Sequence, residues 1–197
     1  MERKKFIKTL SLFAFSSPLF VAAACSKDGG LTSSDSDGGT DVDVDGSCTV
    51  TPTETEGPFP TKTPSSYVRS DIRKGDGIGA DMTALITIAN VNNGCSPLEG
   101  ALVDIWHCDV NGDYSEYGGT QMQRTNYQSE HWYRGRQVTD ASGLVTFKTI
   151  FPGWYQGRAT HIHVHIYTSA GKSLLVTQIA FQDSLSEQVN TTGASYG

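Results

Sequence analysis

The most informative absence in this sequence is an apolar run long enough to span a membrane. The longest run, from Leu10 to Ala24, falls short of the roughly 20 residues that a spanning helix needs. Basic residues are also scarce, because 15 Lys and Arg stand against 21 Asp and Glu, for a formal net charge of -6. Such a surface does not attract the phosphates of nucleic acid, so we expect no nucleic-acid partner.

Helical periodicity is absent too, since no stretch from Cys48 onward repeats its apolar residues at the spacing of an amphipathic helix. The sequence instead contains apolar or β-branched runs of strand length, and several of them alternate between apolar and polar residues. Turn signals of the Asn-Gly and Pro-Gly type separate these runs. We therefore predict one all-β domain over residues 48–197, an antiparallel β-sandwich. The predicted strands are 84–89, 101–107, 144–150, 161–167 and 174–181.

The N-terminus predicts export. Basic residues between Arg3 and Lys8 precede the apolar run, which ends in three alanines before Cys25. Small residues before a cysteine are typical of lipoprotein processing, in which the cysteine becomes the acylated first residue. We predict a signal peptide over residues 1–24 and an exported lipoprotein, anchored to a membrane through Cys25 and facing the periplasm or the cell surface. Cleavage that yields a soluble product is the alternative.

Residues 25–47 predict a tether. They are rich in Gly, Ser, Thr and Asp and contain almost no apolar residue, so they bury too little surface to fold. Asp41, Asp43 and Asp45 imitate the start of a calcium-binding EF-hand loop, but Pro52 stands at the position of the essential glutamate. We therefore expect a flexible, acidic spacer without a calcium site.

Cysteine is rare, and only Cys48, Cys95 and Cys108 remain in the predicted domain. An exported protein can carry one disulfide bond among them, which leaves one thiol over. We favour a bond between Cys48 and Cys95, because Cys108 lies in a strand-like run where a small buried residue is expected. The sequence leaves the other pairings open.

The segment His161-Ile-His-Val-His165 carries the first candidate metal ligands. Side chains two apart in a strand project from the same face, so His161 and His163 can bind one metal ion. Paired histidines also occur on sheet surfaces without a metal, and for His165 we expect a packing or supporting role. A zinc hydrolase that uses all three histidines is one alternative function.

Two tyrosines lie in predicted turns at the ends of strands. Tyr155 precedes the histidine strand in a Pro-Gly turn, and Tyr114 follows the strand that carries Trp106. Loops on a rigid scaffold are where site residues concentrate. Tyrosine in a turn is also common as an amphipathic rim residue, so neither tyrosine alone indicates a ligand.

Taken together, these positions match a family pattern. The order of Tyr114, Tyr155 and the Arg-x-x-His-x-His segment 158–163 resembles that of the intradiol ring-cleavage dioxygenases, the family of catechol, hydroxyquinol and protocatechuate dioxygenases. The resemblance extends over nearly the whole predicted domain. Its matching segments are 55–59, 68–72, 97–107, 112–114, 134–140 and 152–163.

The resemblance implies a metal centre. Tyr114, Tyr155, His161 and His163 correspond to the four protein ligands of an iron(III) ion. Phenolate oxygens are hard, anionic donors that stabilise the ferric state, and a nearby trication keeps them ionised. Zinc is more usually bound by histidine, carboxylate or thiolate, so two tyrosines favour iron.

The resemblance also implies a reaction. A catechol-type aromatic diol is cleaved by O2 between its two hydroxyl-bearing carbons, which gives a cis,cis-muconate-type dicarboxylic acid. Tyr155 accepts a proton of the substrate, and Arg158 stabilises negative charge on the ring. Gln178 matches a glutamine near the same pocket, although a glutamine in a strand often faces solvent. The identity of the catechol and the oligomeric state do not follow from the resemblance.

Further aromatic residues have less defined roles. We expect Trp106 in the core and leave the role of His107 open. Tyr117, Trp132 and Tyr133 lie in predicted loops that border the pocket, where they shape substrate choice or cover the metal. A non-catalytic cell-surface binding module that uses exposed Trp132 and Tyr133 is the second alternative function. Relative to the family we also expect a final strand or tail to be absent or replaced.

Overall fold

The computed structural model describes residues 48–155, 157–192 and 196. The predicted signal peptide, the acylated Cys25 and the acidic tether lie outside the described residues, so they remain predictions. Within the described residues, no helix is both long enough and apolar enough to cross a membrane.

The described part of the chain is mostly β-structure. The predicted runs 144–150 and 161–167 form strands with the expected bounds, and the other three predicted runs form strands whose ends differ by a few residues. The elements are β1 (Asp81–Thr87), β2 (Ala89–Asn90), β3 (Ser96–Pro97), β4 (Leu102–Trp106), β5 (Arg134–Val138), β6 (Leu144–Ile150), β7 (His161–Tyr167), β8 (Ser173–Ala180) and α1 (Asp183–Thr192).

The strands pair in antiparallel sheets, as predicted. One sheet has four strands in the order β5-β4-β7-β8, while β1 pairs with β6 and β2 with β3. In the four-stranded sheet Trp106 of β4 and Gln178 of β8 both lie opposite His163 of β7. The register therefore places residues from two neighbouring strands beside one histidine.

Strand β7 is buried on both faces, which explains its alternation of aliphatic residues and histidines. Ile162, Val164 and Ile166 belong to the main hydrophobic core, which also contains residues of β4 and β6. Because β6 belongs to a different sheet, two sheets share this core. Burial of each such side chain contributes roughly 1.5–3 kcal/mol. The histidines at positions 161, 163 and 165 occupy the opposite face.

Cys48 and Cys95 form a disulfide bond across a sequence separation of 47 residues, which confirms the favoured pairing. Cys108 is a free, buried thiol. Burial raises its pKa, so the thiol keeps its proton at neutral pH. Cys108 therefore behaves as a small core residue, as its place in an apolar run predicts.

The all-β prediction did not include a helix, and α1 follows β8. No residue of α1 is buried, so the helix has no apolar stripe against the core and leaves no helical period in the sequence. Strand β5 was also not predicted. Its sequence, Arg-Gly-Arg-Gln-Val, lacks apolar alternation, since its buried positions are filled by arginine and glycine.

Candidate metal centre

Strand β7 places two histidine rings in contact at its N-terminal end. The Nε2 atoms of His161 and His163 lie 3.0 Å apart, and both residues are buried. Nδ1 of His161 lies 2.7 Å from the carbonyl oxygen of Ala159, which can only accept a hydrogen bond. The neutral His161 ring therefore carries its proton on Nδ1, and the lone pair of Nε2 faces His163.

The loop after β4 brings in Tyr114, which is fully buried. Its hydroxyl oxygen lies 3.3 Å from Nε2 of His163. The side-chain amide of Gln123 holds the Tyr114 backbone, accepting from its N–H at 2.6 Å and donating to its carbonyl at 2.8 Å. Gly112 has a φ of +86°, and a Cβ there would lie 2.5 Å from the Trp154 carbonyl oxygen. Glycine at 112 thus lets the two tyrosine-bearing loops approach each other.

The loop before β7 brings in Tyr155. Its ring centroid lies 6.0 Å from that of Tyr114 and 5.9 Å from that of His161. Its hydroxyl is buried and makes no hydrogen bond of ordinary geometry among the described residues, although the Tyr114 hydroxyl lies near enough to lower its pKa. An unpartnered buried hydroxyl costs about 1–3 kcal/mol, so this one marks a position where a partner is expected. The structure therefore brings all four predicted ligands into one cluster.

Aromatic rings and one glycine enclose the cluster. Trp106 stacks on His163 with 4.9 Å between centroids, and Phe59 stacks on Tyr114 at 4.8 Å. Gly57 has a φ of +70°, and a Cβ there would lie 3.0 Å from Cε1 of His163. The sequence pattern assigns no role to Gly57, because its contact with the histidine ring spans more than a hundred residues of chain.

Burial determines the protonation states of the cluster. It lowers the pKa of His163 to about 3, with a further contribution from neighbouring His161, and it also lowers the pKa of His161. Both imidazoles are therefore neutral at pH 7. Burial raises the pKa of Tyr114 and of Tyr155, so both phenols keep their protons unless a cation lies beside them.

This donor set fits an iron(III) ion. Two neutral imidazole nitrogens and two phenol oxygens give the mixed set that suits a hard, highly charged metal, and such a cation would satisfy the unpartnered Tyr155 hydroxyl. Among the described residues, no group of three or more His, Cys, Asp or Glu side chains could hold a metal. A three-histidine zinc site is therefore not formed there. His165 instead contacts Ser173 at 2.9 Å and Glu56 at 3.0 Å.

Arg158 and Gln178 lie side by side next to the cluster. Gln178 is directly opposite His163 in the sheet register. Its side-chain oxygen accepts a hydrogen bond from Nη2 of Arg158, and its nitrogen donates to the Thr55 carbonyl at 2.7 Å. Arg158 and Trp154 also line a cavity of about 500 Å³ that α1 bounds on another side.

Two residues of the β4 region have structural roles. Trp106 is buried, as predicted, and its stacking on His163 adds a role that the sequence did not indicate. His107 is buried as well, with Nδ1 2.8 Å from the Cys108 carbonyl and Nε2 2.7 Å from the Thr149 hydroxyl. His107 is therefore a hydrogen-bonded core histidine.

The three loop aromatics have different positions from those predicted. Tyr117 packs edge-on against Phe59, 5.2 Å between centroids, and so borders the cluster. The expectation that Trp132 and Tyr133 border it is wrong, because both are buried in a separate core with Val110 and Ile150. Both side chains complete that core, which is separate from the one that contains Tyr114 and Trp106.

The comparisons with known proteins agree with the antiparallel β-fold and with the tyrosine–histidine cluster. The model of a protein family described as "Dioxygenase" matches residues 55–189, well over half of the chain. The chain belongs to the intradiol ring-cleavage dioxygenase family.

Several relatives illustrate the similarity. The solved intradiol ring-cleavage dioxygenase from Tetranychus urticae is 34% identical, with a TM-score of 0.65 over 73% of this chain and 70% of that chain. The dioxygenase domain of a carbohydrate-binding fusion from Streptomyces sp. SirexAA-E is 33% identical, with a TM-score of 0.53 over 74% and 82%. Chlorocatechol 1,2-dioxygenase from Rhodococcus opacus is 27% identical over an alignment of 106 residues, and the match covers 44% of this chain and 38% of that enzyme. The match thus spans less than half of that enzyme's length.

Proposed function

We propose that this chain uses iron(III) and O2 to cleave catechol-type aromatic diols between their hydroxyl-bearing carbons, giving cis,cis-muconate-type dicarboxylic acids. Family membership supports the ring cleavage. The observation that carries the iron dependence is the buried cluster itself. Nε2 of His163 lies 3.3 Å from the Tyr114 hydroxyl oxygen and 3.0 Å from Nε2 of His161. The buried Tyr155 hydroxyl beside them makes no hydrogen bond of ordinary geometry among the described residues.

Tyr155 has two proposed roles, as a ligand and as a base. Its hydroxyl oxygen interacts with the Tyr114 hydroxyl but makes no hydrogen bond of ordinary geometry in the described structure. Such a loose contact lets it exchange one partner for another. Burial raises its pKa, and a phenolate with a raised pKa is a stronger base toward a diol proton. Tyr114 is fully buried and held on both sides of its backbone, which suits a ligand that stays in place.

Arg158 is proposed to stabilise negative charge on the substrate ring. A fixed guanidinium in a partly desolvated site stabilises developing negative charge without reorganising. The chain of hydrogen bonds from Thr55 to Gln178 to Arg158 holds that guanidinium beside the cluster. Gln178 is therefore a positioning residue in this proposal.

A bound iron(III) ion would supply Lewis-acid activation of the diol toward O2. The protein supplies enclosure and orientation. Trp106 and Phe59 cover His163 and Tyr114, which keeps water from these two side chains. A water-poor site strengthens the interaction between the Arg158 cation and an anionic diol.

The export and the lipid anchor at Cys25 form part of the same proposal and rest on the sequence alone. A β-sandwich arrangement of the sheets is supported by the core that β4, β6 and β7 share. The alternative of a binding module loses support, because Trp132 and Tyr133, which it requires on the surface, are buried.

The direct test is a visible absorption spectrum of the purified protein with its iron content, before and after addition of catechol under air. We expect a red-brown ferric-tyrosinate band that shifts when catechol binds, followed by a muconate-like ultraviolet product. A protein that stays colourless and inactive after iron is supplied contradicts the proposal.

A further inference from the structure

Arg134, the first residue of β5, is fully buried and connects two separate segments of chain. Its Nη1 donates to the Phe59 carbonyl at 3.0 Å and to the Thr61 hydroxyl at 3.1 Å. Its Nε and Nη2 donate to the hydroxyl and the carbonyl of Ser115 at 2.9 and 2.6 Å. One guanidinium thus holds the segment of Phe59 against the segment of Ser115.

Glu116 supplies the opposite charge. Its carboxylate lies 3.5 Å from Nε of Arg134 and accepts hydrogen bonds from the Lys62 amide at 2.9 Å and the Tyr67 hydroxyl at 2.6 Å. Its φ of +67° lies in the left-handed region, which costs a glutamate about 1–2 kcal/mol. Buried charges persist when they are paired and hydrogen-bonded, and both conditions are met here.

Tyr114 lies between the two segments that Arg134 connects. It directly precedes Ser115, and its ring stacks on Phe59 with 28° between the planes. Both of these neighbours are bonded to the same guanidinium. Loss of the guanidinium therefore removes the hydrogen bonds that hold Ser115 beside the Tyr114 backbone and Phe59 against the Tyr114 ring, while Gln123 still bonds the Tyr114 backbone itself.

We propose that Arg134 is a positioning residue for Tyr114, and that its buried positive charge, balanced by Glu116, also stabilises the anionic phenolate with which Tyr114 binds the metal. The inference rests on the proposed function, because it assigns these roles toward iron. It gives roles to Arg134 and Glu116, which the ligand pattern does not include.

The electrostatics agree with this geometry. Burial lowers the pKa of Arg134 only to about 10, so the guanidinium stays charged at neutral pH. Burial raises the pKa of Glu116, but hydrogen bonds from Lys62 and Tyr67 and the charge of Arg134 outweigh it and hold that pKa below its ordinary value.

The test compares Arg134→Met, Arg134→Lys and a control, Arg136→Met, in iron-loaded protein. Arg136 lies on the same strand and pairs with Asp104 at 2.5 and 2.7 Å, so its replacement also removes a paired arginine. The readouts are the wavelength of the ferric-tyrosinate band, the affinity for iron, and kcat and KM for catechol. Glu116→Gln changes the other member of the Arg134–Glu116 ion pair: it removes the negative charge and keeps the shape of the side chain.

We expect Arg134→Met to move the band to longer wavelength, because a phenolate without a nearby cation gives up an electron more readily. Iron affinity is expected to fall by about 10- to 100-fold, the usual effect of removing a partner of a metal ligand. Arg134→Lys should show a smaller shift of the band and a smaller loss of iron affinity than Arg134→Met. Glu116→Gln should move the band in the opposite direction, to shorter wavelength. Arg136→Met should keep the wild-type band.

Two failures can be distinguished. A wild-type protein without the band overturns the proposed function and this inference with it. A wild type with the band, together with folded Arg134 and Glu116 variants that keep its wavelength and iron affinity, overturns this inference alone. If Arg134→Met does not fold, the Arg134→Lys and Glu116→Gln spectra decide the question.

Discussion

The hydroxyl oxygen of Tyr114 lies 3.3 Å from Nε2 of His163, although 49 residues separate them in the chain. Tyr114 belongs to the loop after β4 and His163 to β7, and these two strands pair directly. The register that places Trp106 opposite His163 therefore also determines where the loop delivers Tyr114. Because each side chain is a neighbour of the other, we expect a change at either one to alter iron binding by the whole cluster.

His163→Gln is expected to remove the ferric-tyrosinate band and to weaken iron binding by more than about 100-fold, since even the loss of a partner of a ligand costs 10- to 100-fold. Iron retained after desalting, together with the spectrum, measures the effect.

The matched control is His165→Gln. His165 lies on the same face of β7, but its ring contacts Ser173 and Glu56. We expect this variant to retain iron. If both variants lose iron equally, the assignment of His163 as a ligand is not supported.

Tyr155→Phe tests the proposed base. The buried Tyr155 hydroxyl makes no hydrogen bond of ordinary geometry in the described structure, so its removal is expected to raise the free energy of unfolding of iron-free protein by about 1–3 kcal/mol. The kcat for catechol should fall by about 10²- to 10⁴-fold, the usual contribution of a positioned base. Urea unfolding and the rate of product formation measure the two effects separately.

Tyr117→Phe is the control for this variant, because Tyr117 borders the cluster but donates its hydroxyl to the Pro60 carbonyl at 2.7 Å. It should lose about 1 kcal/mol of stability and keep its activity. A Tyr155→Phe enzyme with wild-type kcat excludes Tyr155 as the base.

Gly57→Ala is expected to reduce iron retention as well as stability. A Cβ at position 57 would lie 3.0 Å from Cε1 of His163, and the φ of +70° adds about 1–2 kcal/mol of backbone strain. Gly75→Ala isolates the strain, because Gly75 has a φ of +81° and nothing within 4 Å of a Cβ. Urea unfolding should show a similar loss of stability in both variants, because both carry the backbone strain. Iron content should fall only in Gly57→Ala. Equal iron content in the two variants contradicts the contact.

The candidate ligands were predictable because their signals are local in the sequence. His161 and His163 stand two apart in a strand, and Tyr155 precedes them by a few residues in a turn. Gly57 and Arg134 were not predictable in the same way. Their roles come from contacts with residues far away in the chain, and an isolated glycine or arginine carries no signal of such a contact.

The elements of the fold likewise differ in whether the sequence carries a local signal for them. Strands with apolar residues on one face, such as β6 and β7, were predicted with the correct bounds, since burial of that face produces the pattern. Strand β5 packs through paired arginines and α1 buries no residue, so neither has a hydrophobic period. Trp132 and Tyr133 were misplaced because a loop aromatic has no period from which its burial can be inferred.

His107 leads to a prediction about acid stability. Burial lowers its pKa from the ordinary 6.5 to about 4. Between these two pH values the unfolded chain binds a proton that the folded protein does not, so this contribution to stability is complete above pH 6.5 and is lost as the pH falls toward 4. At about 1.4 kcal/mol for each pKa unit, the loss is roughly 3 kcal/mol.

His107→Gln tests that contribution in iron-free protein. The variant has no titrating ring at position 107, so its free energy of unfolding should fall less between pH 7 and pH 4.5 than that of the wild type. It should still fall, because burial also lowers the pKa of His161 and of His163. Urea unfolding at the two pH values measures the difference. Equal losses in both proteins would mean that the His107 ring accepts a proton in the folded state, which the burial of the ring opposes.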